Sequence, residues 1–208
     1  MEKIKAFVFD LDGTLIDSKK AYYLLFQEVL KQNKINFKKR KLWKELNGQR
    51  AEEVFSKVLN KKERKKIKKL CEELREKEVK EGIKIVKPIK NAKETVELLR
   101  KKFKVYLITN SDKKFTFLIL EKFGFKFNKI FTREDFEDKS KVIKKIANFL
   151  GIKTKEIIYV GDAVIDVKVA RKAKCKVAII PNWSPKYLVK KEKPDYLFDS
   201  IEQLILNI

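Results

Sequence analysis

The chain has 208 residues, and its 52 basic and 29 acidic side chains give a formal net charge of +23, while histidine is absent. These counts exclude hydrolases that use an imidazole base and zinc sites with histidine ligands. No apolar run reaches the roughly 18 residues of a membrane helix, and no signal-peptide pattern is recognisable. The two cysteines, Cys71 and Cys175, fit no metal spacing. We therefore expect a cytoplasmic protein.

The first predicted element is a buried strand over residues 4–9, a short run of β-branched and aromatic side chains. A turn-forming segment, residues 10–14, follows it. Residues 19–81 then show apolar side chains at helical spacing, with no alternation typical of a strand. The chain therefore begins with one strand and continues into a long helical segment.

From residue 85 the pattern changes to short apolar strands separated by helices. Strands are predicted at residues 105–108, 130–132, 157–160, 177–180 and 196–198. Between them, Asn91 and Ser140 are predicted to cap helices, and Gly124 and Gly151 to end them. This alternation is typical of a parallel sheet that helices cover on both faces.

The predicted fold class is therefore α/β, a doubly wound parallel sheet with a Rossmann-like core and an inserted α-helical segment. Residues 1–16 and 86–208 form the predicted core. Residues 17–85 form the predicted helical insertion.

The positive charge suggests a nucleic-acid partner, because basic side chains neutralise phosphates. However, only seven of the 52 basic residues are arginine, the side chain that binds phosphates and base edges in bidentate fashion. The lysines are also spread along the whole chain. We therefore favour a solvated lysine-rich surface, of the kind found in proteins from hot environments, over a nucleic-acid interface.

Polar residues follow three of the predicted strands, at the sheet edge where ligands bind in folds of this type. They are Asp10, Asp12, Thr109, Asn110, Asp162 and, four residues later, Asp166. One aspartate at a strand end is most simply a helix cap, but carboxylates at several ends repel one another unless a cation is present. Oxygen ligands without His or Cys indicate Mg²⁺. Lys139 stands at the start of a helix between these strands.

Three motifs occur in a recognisable order. They are Asp10-Leu11-Asp12-Gly13-Thr14-Leu15, Val105-Tyr106-Leu107-Ile108-Thr109-Asn110 and Gly161-Asp162-Ala163-Val164-Ile165-Asp166. In these motifs the chain resembles the haloacid dehalogenase superfamily of phosphohydrolases, and the resemblance extends over essentially its full length. Within that superfamily it resembles the phosphoglycolate phosphatase-like branch, whose members have a helical cap. The lysine motif of that family usually has a proline after the lysine, and here it does not. Lys139 fits best because it directly precedes the predicted helix cap, and Lys141 is the alternative.

The resemblance implies a phosphoric monoester hydrolase that works through an aspartyl phosphate. Asp10 would attack phosphorus, Asp12 would act as general acid and then base, and Lys139 would assist. The residues implied to bind the phosphoryl oxygens are Thr109, Lys139 and the amides around Leu11 and Asn110. The residues implied to hold Mg²⁺ are Asp10, Asp12 through its carbonyl, Asp162 and, in a supporting position, Asp166.

The inserted helices resemble the cap that closes over the active site in this branch. Within them, residues 46–50 resemble the loop that meets the substrate. Gly48 would permit the turn, and Arg50 would bind a second anionic group. A solvated charge at a helix end explains Arg50 equally well.

We therefore predict a Mg²⁺-dependent phosphatase of a small phosphorylated metabolite, with phosphoglycolate as first candidate, acting as a monomer or homodimer without a membrane partner. On the same fold, β-phosphoglucomutase or pyrophosphatase activity is an alternative, and the mutase shares the Gly-x-Arg cap pattern. A different class is a nucleic-acid-binding protein or a phosphatase of polynucleotide ends. A cap over the site disfavours such a polymer substrate.

Overall fold

A parallel sheet with helices on both faces forms the centre of the computed structural model, which describes residues 3–207. The predicted core ranges also include residues 1, 2 and 208, which lie outside the described residues. In chain order, the strands and helices are β1 (Ala6–Phe9), β2 (Ile16–Asp17), α1 (Lys19–Gln32), α2 (Lys39–Glu45), α3 (Ala51–Val58), α4 (Ile67–Lys77), α5 (Ile83–Ile85), β3 (Lys87–Pro88), α6 (Ala92–Arg100), β4 (Lys104–Ile108), α7 (Lys113–Phe123), β5 (Lys129–Phe131), α8 (Lys139–Leu150), β6 (Ile157–Gly161), α9 (Val164–Ala173), β7 (Lys176–Ile179), α10 (Lys186–Lys191), β8 (Tyr196–Leu197) and α11 (Gln203–Asn207). A π-helical turn, Glu78–Gly82, connects α4 to α5.

The strand order of the main sheet is β5-β4-β1-β6-β7-β8, and every adjacent pair is parallel. After β1, the chain adds β4 and β5 on one side and then β6, β7 and β8 on the other. The predicted doubly wound α/β fold is thereby confirmed. Ligands bind in such sheets where the strand order changes direction, which here is beside β1.

The register of the three central strands aligns their carboxyl ends. Phe9 at the end of β1 lies opposite Leu107 of β4 and Val160 of β6. The residues that follow these strands therefore meet at one edge of the sheet. That edge carries the polar residues of the three motifs.

Alternate residues of β1 pack on opposite faces of the sheet, as strand geometry requires. Phe7 and Phe9 belong to one apolar core, which includes residues of α6 and α7. Ala6 and Val8 belong to the other, which includes residues of α8 and α9. Because all four side chains are fully buried, β1 is fixed from both sides.

Helices α1 to α4 pack around a third apolar core, which includes the fully buried Phe55 and Leu70. Trp183, from the loop after β7, also contributes to this core, so the helical segment contacts the carboxyl edge of the sheet. The short strands β2 and β3 pair antiparallel, with Ile16 opposite Pro88, where the helical segment leaves and rejoins the sheet region. Within residues 3–207, no helix combines the length and apolarity that crossing a bilayer requires.

Two predicted helix caps are wrong. Asn91 precedes α6 but has a left-handed conformation, with φ of 60°, and its side chain donates to Glu202 Oε1 at 3.2 Å instead of capping the helix. Helix α8 begins before Ser140, and the carboxylate of Asp138 caps it by accepting from the Ser140 backbone N–H at 2.9 Å. The predicted ends at Gly124 and Gly151 are confirmed, because both glycines have the left-handed conformation of a helix C-cap.

Candidate active site

A buried ion pair between Asp10 and Lys139 lies at the carboxyl edge of the sheet. The Asp10 backbone N–H donates to the Val160 carbonyl at 2.9 Å, which fixes this residue beside β6. Lys139, the first residue of α8, donates from Nζ to Asp10 Oδ1 at 2.8 Å. Burial lowers the pKa of Lys139, but the charges of Asp10 and Asp166 outweigh burial and raise it overall. The ammonium therefore stays charged beside Asp10.

Of the two candidate lysines, Lys139 reaches the site and Lys141 does not. Lys141 is exposed, because side chains two residues apart do not share a helix face. Lys139 Nζ also donates to the hydroxyl of Tyr159 at 3.2 Å, and that hydroxyl donates to Asp166 Oδ1 at 3.1 Å. Tyr159 thus connects the lysine to the aspartate on α9.

Three buried carboxylates, those of Asp10, Asp162 and Asp166, converge so that one oxygen of each lies within 4.8 Å of the others. Burial, and then the charge of Asp166, raise the pKa of Asp162 well above its ordinary value. Burial, and then the charge of Asp10, raise the pKa of Asp166 to about 6. A divalent cation would relieve this repulsion, and an all-oxygen donor set is the chemistry that Mg²⁺ prefers. The residues present therefore fit Mg²⁺.

Backbone N–H groups orient two of these carboxylates. Asp162 Oδ2 accepts from the Trp183 N–H at 2.5 Å, and Asp166 Oδ2 accepts from the N–H groups of Asp162 and Ala163 at 3.1 and 3.0 Å. Gly13 packs directly against Asp162: its φ is +82°, and a Cβ at this position would lie 2.4 Å from Asp162 Oδ2. Only glycine fits here without displacing the carboxylate.

The Asp12 carboxylate faces a different set of groups. The Ser18 hydroxyl donates to Oδ1 at 2.7 Å, and the Ser111 hydroxyl donates to Oδ2. The Ser111 hydroxyl also shares a hydrogen bond of 3.0 Å with the hydroxyl of Tyr22 on α1. Burial raises the pKa of Asp12 to about 6, against the opposing effect of the two serine hydrogen bonds. Asp12 is therefore a buried, oriented carboxyl that titrates close to neutral pH.

Hydrogen-bond donors lie next to Asp10 on two loops. Within residues 3–207, the backbone N–H groups of Leu11 and Asn110 donate to no other backbone group. Thr109 is fully buried, and its hydroxyl oxygen accepts from the Ser111 N–H at 3.0 Å, which leaves the hydroxyl proton available. These donors are suited to the oxygens of an anion bound at Asp10.

A cavity of about 40 Å³ lies over Asp10, with walls from the sheet edge and from the helical segment. Its polar walls include Asp12, Lys139, Gly48, Gln49, Glu78 and Arg133. The Gly48 carbonyl accepts from Asn110 Nδ2 at 3.0 Å, which joins the loop after α2 to the loop after β4. The φ of Gly48 is +84°, so this turn suits glycine, as predicted from the sequence.

Arg50, predicted to meet the substrate, lies outside this cavity. Its guanidinium donates to the carbonyl of Phe136 and lies 5.4 Å from the centroid of the Phe136 ring. Arg50 lines a neighbouring cavity, whose walls also include Gly48, Asn110, Lys139 and Asp166. The arginine that lines the cavity over Asp10 is Arg133, from the loop after β5.

Several residues at the site were not singled out from the sequence as functional candidates. They are Ser18, Ser111, Tyr22, Glu78, Arg133, Tyr159 and Trp183. The two serines carried a signal, because Ser111 directly follows the second motif, Ser18 lies three residues after the first, and a hydroxyl at either place can reach a motif carboxylate. Glu78 and Arg133 carried none, because they lie in charged stretches with many similar side chains.

The model of the family described as haloacid dehalogenase-like hydrolase matches residues 7–180. The chain belongs to this family. It is thus a hydrolase of a family with phosphatase and pyrophosphatase members, and the resemblance inferred from the motifs is confirmed.

Individual relatives are similar over nearly the whole chain. Pyrophosphatase PpaX of Bacillus cereus is 28% identical over 98% of this chain and 95% of that protein. A haloacid dehalogenase-like family protein of Streptococcus pneumoniae has a TM-score of 0.85 at 20% identity, with 99% of each chain covered. A predicted phosphoglycolate phosphatase of Haemophilus somnus has a TM-score of 0.77 at 22% identity, with 99% and 98% covered. These structural likenesses support the fold.

Proposed function

We propose that the chain is a cytoplasmic, Mg²⁺-dependent phosphatase that hydrolyses a small phosphorylated metabolite through an aspartyl phosphate on Asp10. The observation that carries this proposal is the pair of carboxyls after β1. Asp10 forms an ion pair with Lys139, whereas burial raises the pKa of Asp12 to about 6. A nucleophile and an acid of near-neutral pKa are the two groups that this chemistry needs.

In the first step, an oxygen of the Asp10 carboxylate attacks phosphorus, and the bond between phosphorus and the leaving oxygen breaks. Asp12 donates its proton to the leaving oxygen and becomes a carboxylate. The hydroxyls of Ser18 and Ser111 keep Asp12 oriented. Because burial raises its pKa to about 6, part of the Asp12 population carries the required proton near neutral pH.

In the second step, the Asp12 carboxylate takes a proton from a water molecule, and the water oxygen attacks phosphorus. The bond between phosphorus and the Asp10 oxygen breaks, which restores the Asp10 carboxylate and releases inorganic phosphate. Asp12 is protonated again and ready for the next turnover. One carboxyl thus serves as acid and then as base, the role that histidine has in many other hydrolases.

The phosphoryl oxygens are held by charge and by fixed dipoles. The groups proposed for this are Lys139, the Thr109 hydroxyl and the backbone N–H groups of Leu11 and Asn110. The backbone donors are already oriented before the reaction, so they stabilise the developing charge without reorganisation.

Asp10, Asp162 and Asp166, with the carbonyl of Asp12, are proposed to hold Mg²⁺. When bound, this ion would neutralise negative charge on the phosphoryl group and on the aspartates around it. The support for this site is the cluster of buried oxygens with raised pKa values.

Residues 17–85 are proposed to be a cap domain that closes over a core of residues 1–16 and 86–208. A cavity of about 40 Å³ between the two favours a small substrate over a polynucleotide end. The lysine-rich surface is then a solvated surface, and the hot environment stays a prediction from composition.

Phosphoglycolate is the first candidate substrate and inorganic pyrophosphate the second. A structural neighbour described as a phosphoglycolate phosphatase supports the first, and relatives named pyrophosphatase PpaX favour the second. Both molecules are small and carry a second anionic group. A sugar phosphate, as a mutase would need, is larger than either.

A substrate panel tests this proposal. We expect the protein with Mg²⁺ to release phosphate from phosphoglycolate or pyrophosphate faster than from glucose 1-phosphate or a phosphorylated oligonucleotide. Activity is expected to disappear in excess chelator and to return with added Mg²⁺. Full activity in chelator would contradict the metal assignment, and preference for the oligonucleotide would contradict the small-metabolite assignment.

The raised carboxyl pKa values predict how Mg²⁺ affects thermal stability at different pH. A carboxyl whose pKa is higher in the folded than in the unfolded state stabilises the fold at low pH. For Asp12 and Asp166, this stabilisation is lost as the pH rises from about 4, the unfolded-state pKa, through about 6, the folded-state pKa. For Asp12 alone, the free energy of unfolding falls by roughly 3 kcal/mol over this pH range. Mg²⁺ replaces the lost protons, so it should raise Tm more at pH 8 than at pH 5.

Thermal unfolding in chelator and in MgCl₂ at the two pH values measures this effect. Asp162→Asn should abolish most of the increase in Tm, whereas Asp199→Asn, an exposed aspartate, should keep it. The same increase at both pH values, or an undiminished increase in Asp162→Asn, would contradict a metal site in this cluster.

A further inference from the structure

Two side chains of the cavity, Glu78 and Arg133, take no part in the proposed steps. Glu78, the first residue of the π-helical turn, is 5% exposed and lines this cavity. The Arg133 side chain is 12% exposed. Because both side chains line the cavity, either can contact a ligand bound there.

Arg133 belongs to a charge cluster that is not fully satisfied. Its guanidinium forms an ion pair with Oε1 of Glu52 on α3, and Arg75 on α4 approaches the same oxygen at 3.4 Å. Glu52 Oε2 and Arg75 Nε are buried without hydrogen-bond partners. Two guanidinium groups thus share one carboxylate, and the cluster has one positive charge in excess.

Glu78 can supply a hydrogen-bond donor to an anion that lies beside Arg133. Burial raises its pKa to about 8, with a further contribution from the charges of Asp12 and Asp112. Near neutral pH the carboxyl is therefore protonated, and a protonated carboxyl can donate a hydrogen bond to an anion. A buried carboxylic acid kept neutral in this way does not repel a negatively charged ligand.

We propose that Glu78 and Arg133 form a subsite for a second anionic group, a carboxylate or a phosphate, on the leaving part of the substrate. Glu78 and Arg133 line the same cavity as Asp10 and Lys139, so the two anionic groups of one small ligand would face Lys139 and Arg133. This inference rests on the proposed function. It assigns to Arg133, on the loop after β5, the role that the sequence suggested for Arg50.

Phosphoglycolate and ethyl phosphate form a matched pair, because they differ by a carboxylate in place of a methyl group. In Arg133→Met, the ratio of kcat/KM for phosphoglycolate to that for ethyl phosphate should fall at least about tenfold, as expected for a lost charge-assisted contact. Arg64→Met removes an exposed arginine and should leave the ratio unchanged. Pyrophosphate in place of phosphoglycolate tells whether the subsite takes a phosphate as well as a carboxylate.

Variants of Glu78 test the donor. Glu78→Leu removes the hydrogen bond and should lower the same ratio, whereas Glu78→Gln keeps an N–H donor and should lower it less. A ratio that falls equally in both variants, or in neither, would contradict a donor role for Glu78.

Glu52→Gln separates substrate recognition from a purely structural role of Arg133. If Arg133 only joined the helical segment to the loop after β5 through Glu52, then Arg133→Met and Glu52→Gln would lower kcat/KM for all substrates alike. If Arg133 binds the second anion, Glu52→Gln leaves its guanidinium in the cavity, so the ratio is maintained or rises. Equal losses on both substrates in Arg133→Met would overturn the proposal.

Binding to the Asp10→Asn variant keeps the inference testable without turnover. Isothermal titration calorimetry should show tighter binding of phosphoglycolate than of ethyl phosphate, and Arg133→Met in the same background should remove the difference. If the wild type hydrolyses no substrate, the proposed function fails while this difference still supports the subsite. Equal affinities for the two ligands with Arg133 intact would overturn the subsite alone.

Discussion

Replacement of Asp10 by asparagine is expected to lower kcat/KM for the best substrate by at least about 10³-fold. The amide has nearly the shape of the carboxylate but cannot attack phosphorus. It also loses the charge that Lys139 Nζ contacts at 2.8 Å. The expected loss corresponds to about 4 kcal/mol of transition-state stabilisation.

The matched control for this change is Asp17→Asn, the same substitution at an exposed aspartate seven residues later. It should keep wild-type kcat/KM. The Tm of both variants should stay within a few degrees of wild type, so that loss of activity is separated from loss of the fold. An Asp10→Asn enzyme of near wild-type activity would refute the nucleophile assignment.

Asp12→Asn is expected to lower kcat by about 10²- to 10⁴-fold on substrates with poor leaving groups, because it removes the general acid and base. The loss should be larger for ethyl phosphate than for acetyl phosphate, a molecule of similar size whose leaving group needs no proton. With acetyl phosphate, the first step should proceed while the second is slow, so phosphoenzyme should accumulate.

Rapid-quench kinetics on the two substrates measure this difference. Ser18→Ala is a milder companion change, since it removes one of the two hydroxyls that orient Asp12 and leaves its carboxyl in place. Its activity should lie between those of wild type and Asp12→Asn. The same loss on ethyl and acetyl phosphate would contradict the acid role of Asp12.

The fold and the centre of the site could be predicted because both depend on local patterns. Residues 6–9 are apolar and fully buried, as a central strand requires, and Asp10 follows them directly. Helix α9 spans residues 164–173, between the predicted strands at 157–160 and 177–180, and Asp166 lies in its first turn. Because the strands are parallel, their carboxyl ends lie at one edge of the sheet, and this brings Asp10, Asp162 and Asp166 close together.

The errors arose where tertiary contacts decide the conformation. Asn91 has the residue type and spacing of a helix cap, but its positive φ turns the side chain toward Glu202, which lies 111 residues later. Ser140 has the residue type of a helix cap, but Asp138, two residues earlier, accepts from the Ser140 N–H, so α8 begins before Ser140. Neither outcome can be read from the local sequence, because both residue types cap helices well.

The arginine that lines the cavity over Asp10 could not be predicted from the sequence either. Arg50 has the spacing of a substrate-binding residue, but the carbonyl of Phe136 competes for its guanidinium. Arg133 reaches the cavity instead, and its partner Glu52 lies 81 residues away. The contact between Glu52 on α3 and the loop after β5 positions Arg133 at the cavity over Asp10, and no short motif encodes that contact.

The measurement that tests the central proposal most directly is mass spectrometry of Asp12→Asn quenched in acid during turnover of acetyl phosphate with Mg²⁺. A peptide containing Asp10 is expected to gain the mass of one phosphoryl group, and the corresponding peptide of the double variant Asp10→Asn/Asp12→Asn is expected to gain none. A phosphoryl group on another residue would contradict the assignment of Asp10. The assignment of Asp10 would also be contradicted if the wild type is active and the Asp12→Asn variant releases phosphate, yet no phosphorylated peptide is found.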